Sequence, residues 1–176
     1  MTIEDVKVII RDDETRTLEM KKTTGELKDG MRSACAFFNT AGGWLFFGIA
    51  PTTLKILGQE VTDNTRKEIA REIAKLEPLI DLPVEYIDVP DRPGCQVIAL
   101  HLDAPSYWDA PYTYDNKPYM RIESTTVVMP RDIFEDRLMR SKTNLHKWED
   151  QICEGITIAD LEEQRIRGGV RLGARS

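Results

Sequence analysis

Apolar positions recur along this chain in two periods, and the switches between them divide it into elements. From Ile3 to Ile10 the apolar residues keep helical spacing, and Arg11-Asp12-Asp13-Glu14-Thr15 is a polar connector into a strand through Leu18 and Met20. Strand alternation then puts Glu19 and Lys21 together on the opposite face. From Glu26 onward, Leu27, Met31, Ala34, Cys35 and Phe38 follow a helical repeat that Asn39 and Gly42-Gly43 bring to a stop. Trp44 to Ile49 is apolar without a break, as a strand covered on both faces is, and Pro51-Thr52-Thr53 turns it into a short return strand, Leu54 to Leu57, ending at Gly58. That pair predicts a β-hairpin.

Thr65 with Glu68 three residues on predicts a capping box for a third helix, whose core face is Ile69, Ile73 and Leu76 and whose limit is Pro78. Val84 to Val89 and Cys95 to Leu102, joined by Pro90-Asp91-Arg92-Pro93-Gly94, predict an antiparallel pair. A Pro- and Tyr-rich loop, Pro105 to Pro111, leads to strands Tyr112–Tyr114 and Tyr119–Ile122 about the turn Asp115-Asn116-Lys117, and Pro130 opens a further helix at its first turn. Between Ser141 and Gly155 the pattern weakens. Ile158 to Ile166 predicts a last short helix, and Gly168 to Arg175 holds too few apolar residues to pack. The expectation is one α+β domain over residues 1–140, a mixed and mainly antiparallel sheet flanked by helices, followed by a linker or C-terminal extension, 141–176, cut from a longer protein.

With 176 residues and 41% hydrophobic content the chain can bury a core of its own. No apolar run reaches the roughly 20 residues of a membrane span and charges occupy the N-terminus, so no membrane partner is expected and the cytoplasm is the default location. Cys35, Cys95 and Cys153 are odd in number and widely spaced, with His101 and His146 as the only histidines, which supports neither a disulfide scaffold nor a zinc site.

A net charge of −6 is the wrong sign for a nucleic-acid binder taken as a whole, but global sign does not fix local sign. Lys21, Lys22, Lys28 and Arg32 gather around the first strand and helix, and Lys117 and Arg121 flank Tyr119. Those cations are candidates for contact with phosphates of DNA or RNA, with Tyr112, Tyr114, Tyr119 and Trp108 to stack on bases. The alternative is that scattered cations keep a surface soluble and that the tyrosines are ordinary strand residues. Gly42-Gly43 admits contact with a phosphate, but no lysine follows as it does in a phosphate-binding loop, so a tight turn is the preferred reading.

Three motifs together resemble the Schlafen AlbA_2 domain family over about Met1 to Arg140: Leu18-Glu19-Met20-Lys21; Ala36-Phe37-Phe38-Asn39-Thr40-Ala41-Gly42-Gly43-Trp44-Leu45-Phe46-Phe47-Gly48-Ile49; and Tyr119-Met120-Arg121-Ile122-Glu123-Ser124-Thr125-Thr126, in which Glu123 stands where the family usually has glycine. Trp148-Glu149 and Ile158 to Leu161 resemble the linker of bacterial members, in which the domain precedes ATPase-like (divergent AAA-4) or winged-helix regions and is described as a DNA-binding transcriptional regulator. The resemblance implies a compact α+β domain and either nucleic-acid binding or, as in some animal Schlafens, metal-dependent RNA cleavage. It singles out Arg121 within the third motif, as a phosphate contact or as a structural arginine paired with Glu19 or Glu14. For cleavage it implies Glu14 and Glu19 as ligands of Mg²⁺ or Mn²⁺ with Lys21 beside them, but the third carboxylate that follows the glycine-rich strand is replaced by Ala50-Pro51. Glu19 and Lys21 have a plainer reading as a strand-face ion pair. Binding without chemistry, and so without a cofactor, is the first expectation; a nuclease is the second. A structural oligomerisation module, with a homodimer built on exposed strands or on the Pro105 to Tyr114 loop, is the third.

Overall fold

The computed structural model of the chain describes residues 1–11, 15–107 and 109–153, with side chains through 143. In chain order the elements are α1 (Ile3–Ile9), β1 (Leu18–Lys21), a 3₁₀ turn (Thr24–Glu26), α2 (Leu27–Phe38), β2 (Gly43–Phe47), β3 (Ile49–Ala50), β4 (Lys55–Ile56), β5 (Gln59–Glu60), α3 (Asp63–Ile73), β6 (Leu76–Glu77), β7 (Val84–Asp88), β8 (Cys95–Leu102), β9 (Thr113–Tyr114), β10 (Lys117–Ile122), β11 (Thr125–Val128) and α4 (Arg131–Cys153). The expected α+β class is what forms. Among the described residues no helix is long and apolar enough to cross a membrane.

The main sheet is built on β8. Its Ile98–Leu102 stretch pairs antiparallel with β2 and its Gln96–Leu100 stretch with β7, so β8 is central, while β5 continues one edge at Cys95–Gln96. β1 lies parallel to β2 on the outside, in register from Leu18–Trp44 to Lys21–Phe47, and α2 is the crossover that a parallel neighbour requires. Alternation along β2 gives the sheet two buried faces. Phe46 joins Leu18, Met20, Val97 and Ala99 in the cluster that α1 covers through Val6 and Ile10. Leu45 and Phe47 join Ile98, Leu100 and Leu102 beneath Met31, Ala34, Phe37 and Phe38 of α2. Glu19 pairs with Leu45 in register, which puts its side chain on the face toward α2.

A second, antiparallel sheet runs β11-β10-β9-β6 and closes over the other side of α2, so that the helix is buried between two sheets. Two glycines set how closely the layers approach. A Cβ on Gly30 would lie 2.5 Å from the Phe47 ring, and one on Gly43, where φ is 149°, would lie 2.3 Å from the Thr17 carbonyl oxygen. The Gly42-Gly43 step is therefore a turn required by packing, in line with the preferred sequence reading.

Some local expectations are corrected. The third helix begins earlier: its cap is Thr62, and Thr65 is the reciprocal partner inside the box. Trp44 to Ile49 is interrupted at Gly48 (φ 97°), and the return strand shortens to Lys55–Ile56. The weak pattern after Ser141 does not end α4, which continues to Cys153. β11 was not assigned in the sequence, although its four residues, Thr125-Thr126-Val127-Val128, are all β-branched; it pairs antiparallel with β10. The helix expected from Ile158 to Ile166 and the Gly-rich tail lie outside the described residues.

Candidate functional site

Arg121 comes from the middle of β10 and crosses to the edge strand β1. Its side chain is 1% exposed, and Nη1 donates to Glu19 Oε2 at 2.6 Å and to Thr126 Oγ1 at 3.0 Å, while Nη2 donates to the Thr15 carbonyl at 2.9 Å. Its guanidinium also lies 4.9 Å from the centre of the Phe37 ring. A guanidinium is tolerated so deep only when its charge is paired and its donors are used, and Nε alone lacks a partner.

Glu19 spends its other oxygen on Lys21, whose Nζ is 2.7 Å from Oε1 and 3.7 Å from Asp29 Oδ2. Asp29 in turn accepts from Arg32 Nη1 at 3.0 Å, one helical turn along α2. The outcome is an alternating chain, Arg121–Glu19–Lys21–Asp29–Arg32, running from the core to solvent, with side-chain exposure of 1% at Arg121, 14% at Lys21 and 59% and 49% at Asp29 and Arg32. It floors a cleft of about 500 Å³ whose rim includes Ser33, Tyr119, Ser124, Thr125 and Thr126. Ser33 and Thr126 are hydrogen-bonded across it at 3.0 Å, tying α2 to β11.

Of the residues expected to contact phosphate, the fold thus gathers Lys21, Arg32, Tyr119 and Arg121. Lys28 lines an adjoining cleft of about 720 Å³ between α2 and α3, which also takes in Arg32. Lys22 and Lys117 are exposed and line neither cleft. Tyr114 is buried and donates to Glu72, so it is removed from the stacking candidates. Burial pushes the Tyr114 hydroxyl well above the usual tyrosine range, with the Glu72 contact adding to it. Tyr112 is stacked on Phe38 at 4.7 Å, and Trp108 and Glu14 lie outside the described residues.

Asn39, at the end of α2, donates through Nδ2 to the carbonyls of Tyr112 and Tyr119, both at 2.8 Å, and its Oδ1 accepts from the Tyr112 amide. It is a staple between helix and second sheet. Cys35 beneath it is buried, and desolvation pushes its thiol up to about 12, which makes it a packing residue rather than a nucleophile.

Both Glu19 oxygens are occupied by cations, and among the described residues no three His, Cys, Asp or Glu side chains are grouped to hold a metal. Glu19 and Lys21 were legible as a strand-face pair; Asp29 and Ser33 were not singled out, although Asp29 sits at helical i, i+3 spacing from Arg32. Thr126 is brought in only by the β10–β11 hairpin.

The comparisons with known proteins agree with this architecture. The crystal structure of the DIP2311 protein from Corynebacterium diphtheriae superposes with a TM-score of 0.51 at 20% identity, over 79% of this chain and 33% of that one, which supports the fold alone and makes this chain the counterpart of a third of a longer protein. No curated protein is significantly similar in sequence. The family described as Schlafen, AlbA_2 matches residues 14–130, more than half of the chain, and the matched stretch holds all five members of the charge chain. The chain belongs to the Schlafen AlbA_2 family.

Proposed function

We propose that this chain is a nucleic-acid-binding regulatory module of a larger bacterial protein, which grips the phosphate backbone of DNA or RNA without chemistry. The observation that carries the reading is the cleft between α2 and the β10–β11 hairpin. Three cations, Lys21, Arg32 and Arg121, outnumber two carboxylates there, on a protein whose net charge is −6, and the half-buried Tyr119 lies beside them. Arg32 is the outermost cation and the one placed to meet a phosphate; Arg121, held in the core, positions the floor. Lys28, Lys22 and Lys117 extend the positive surface beyond the cleft.

A second reading, a nuclease dependent on Mg²⁺ or Mn²⁺, draws on the Glu19 carboxylate lying in that same cleft next to Lys21. The engaged Glu19 oxygens weigh against it.

One experiment separates the readings. Labelled hairpin RNA and duplex DNA are titrated with the protein across a salt series, with and without Mg²⁺ or Mn²⁺. Binding that weakens with salt, with Arg32→Gln lowering affinity and reducing the salt slope by roughly one, is the expected result. Metal-dependent cleavage lost in a folded Glu19→Gln variant replaces the binding reading with the nuclease. Absence of both, accompanied by self-association, favours the oligomerisation module.

A further inference from the structure

A second positively charged pocket lies on the other side of Arg121, and the family motifs do not account for it. It has a volume of about 280 Å³ and is enclosed by the end of α2, residues 105–107 and 109–111, and the first turns of α4. Four arginines line it, Arg16, Arg121, Arg137 and Arg140, and among the described residues Asp109 is the one carboxylate in the lining. Asp109 is committed to its own loop, accepting from the Ser106 amide at 2.6 Å. Arg121 is already neutralised from behind by Glu19.

Of the remaining three arginines, Arg137 meets a neutral acceptor and Arg140 an exposed carboxylate. Arg137 donates to the Asn39 carbonyl at 2.6 Å, a neutral acceptor that orients the guanidinium without cancelling its charge. Arg140 follows one turn later on the same face of α4; it reaches the exposed Asp136 at 2.6 Å, lies 4.6 Å from the centre of the Tyr107 ring, and has a buried Nε with no partner. Arg16 reaches the pocket from the segment that precedes β1. Burial, and then the neighbouring Arg140 charge, holds the Arg137 guanidinium below the usual arginine range, although arginine stays protonated at neutral pH. Like charges converging in a partly enclosed, partly desolvated pocket repel one another, and an anion entering the pocket relieves that repulsion. Guanidinium forks match the tetrahedral oxygens of phosphate.

We propose that this pocket is a phosphate-binding site, distinct from the Glu19 cleft, in which Arg16, Arg137 and Arg140 take the phosphate oxygens. Its size, at the lower end for small-molecule sites, admits a phosphate with part of a sugar. The exposed Tyr107 stands at the rim. The proposal does not depend on the nucleic-acid reading, since a free nucleotide and the phosphorylated end of a strand present the same chemistry.

The test uses the full chain. Its thermal midpoint is followed against inorganic phosphate at constant ionic strength, with chloride as control, for the native sequence, Arg140→Gln, the Arg137→Gln/Arg140→Gln double variant and Arg32→Gln. Stabilisation by phosphate in the native chain and in Arg32→Gln is expected, with affinity down roughly tenfold or more in Arg140→Gln, the variant that leaves the Asn39 contact intact. Binding of 5′-phosphorylated and 5′-hydroxyl oligonucleotides is measured alongside. A preference for the 5′-phosphate that Arg140→Gln abolishes assigns the pocket to strand ends; a phosphate response without that preference assigns it to free nucleotides or other small phosphorylated ligands. No response in the native chain, or a response in folded Arg140→Gln and the double variant as large as the native one, overturns the site.

Discussion

The two clefts that share Arg121 solve the same electrostatic problem in opposite ways. On the Glu19 side every charge has an opposite neighbour, from Arg121 in the core out to Arg32 in solvent. On the α4 side four arginines line a pocket in which Asp109, the one carboxylate among the described lining residues, is tied to its loop, and Arg140 is paired only outward, with the exposed Asp136. Burial without pairing is expensive, so an alternating chain can be structural, whereas an excess of one sign in a half-enclosed space is a standing demand for a counterion. The contrast separates residues that build the site from residues that use it.

The largest expected effect breaks the alternating chain at its deepest link. Glu19→Ala leaves the Arg121 guanidinium buried and unpaired, and should cost about 3–5 kcal/mol of unfolding free energy, read from urea denaturation. The sharper form is the double change Glu19→Leu/Arg121→Met, which removes both charges and keeps most of the volume. It should recover the greater part of the loss, because the penalty belongs to the orphaned charge and not to the absence of the pair. If the single and double variants are equally unstable, the pair is holding the β1–β10 contact by geometry rather than by charge.

Asn39 lines the α4 pocket, with its side chain on Tyr112 and on Tyr119 of the Glu19 cleft and its own carbonyl under Arg137. Asn39→Ala strands one buried amide and two carbonyls, and should cost roughly 2–3 kcal/mol. Hydrogen exchange should speed up first at the Tyr112 amide, the donor to its Oδ1. Faster exchange confined to α3 would contradict the role of Asn39 as the staple between α2 and the second sheet.

How much of this contrast was legible in the sequence follows from the range of each interaction. Strand alternation was enough to put Glu19 and Lys21 on one face, and helical spacing was enough to outline α2 and its apolar stripe, because both are set within a few residues. The motif resemblance reached further and tied Arg121 to the site, leaving Glu19 or Glu14 as its partner; the structure gives Glu19, 102 residues away in sequence. The α4 pocket was invisible. Arg137 and Arg140 lie one turn apart on the helix expected after Pro130, but Arg16 is more than a hundred residues away in sequence, and only the tertiary fold brings the three to one pocket. Tyr114 was misjudged for a related reason: a two-residue strand has too few positions for alternation to say which face is covered.

On the α4 side stability should respond weakly. Arg140→Gln removes a partly exposed pairing with Asp136 and a like-charge neighbour of Arg137, so its unfolding free energy should stay within about 1 kcal/mol of the native value. Its phosphate response is the quantity expected to change. A loss as large as that of Glu19→Ala would mean that Arg140 is part of the frame after all.

The smallest expected effect runs in the stabilising direction and lies at the rim of the Glu19 cleft. β10 and β11 are joined by Glu123 and Ser124, and Glu123 adopts φ of 50°, in the left-handed region. The family motif usually has glycine at this place, and the backbone here retains the conformation that suits glycine. A residue with a Cβ pays roughly 1–2 kcal/mol for that conformation. Glycine also frees the unfolded chain, which offsets about half of the gain. Glu123→Gly should therefore raise stability by about 0.5–1 kcal/mol, with the midpoint of urea unfolding moving up at unchanged slope. The same change removes an exposed negative charge next to Ser124 and Thr125, so the net charge goes from −6 to about −5 and salt-dependent binding of RNA or DNA in the cleft should tighten slightly. A variant that is stabilised yet binds no more tightly would place the nucleic-acid path away from this hairpin, toward Lys28 and the α2–α3 cleft.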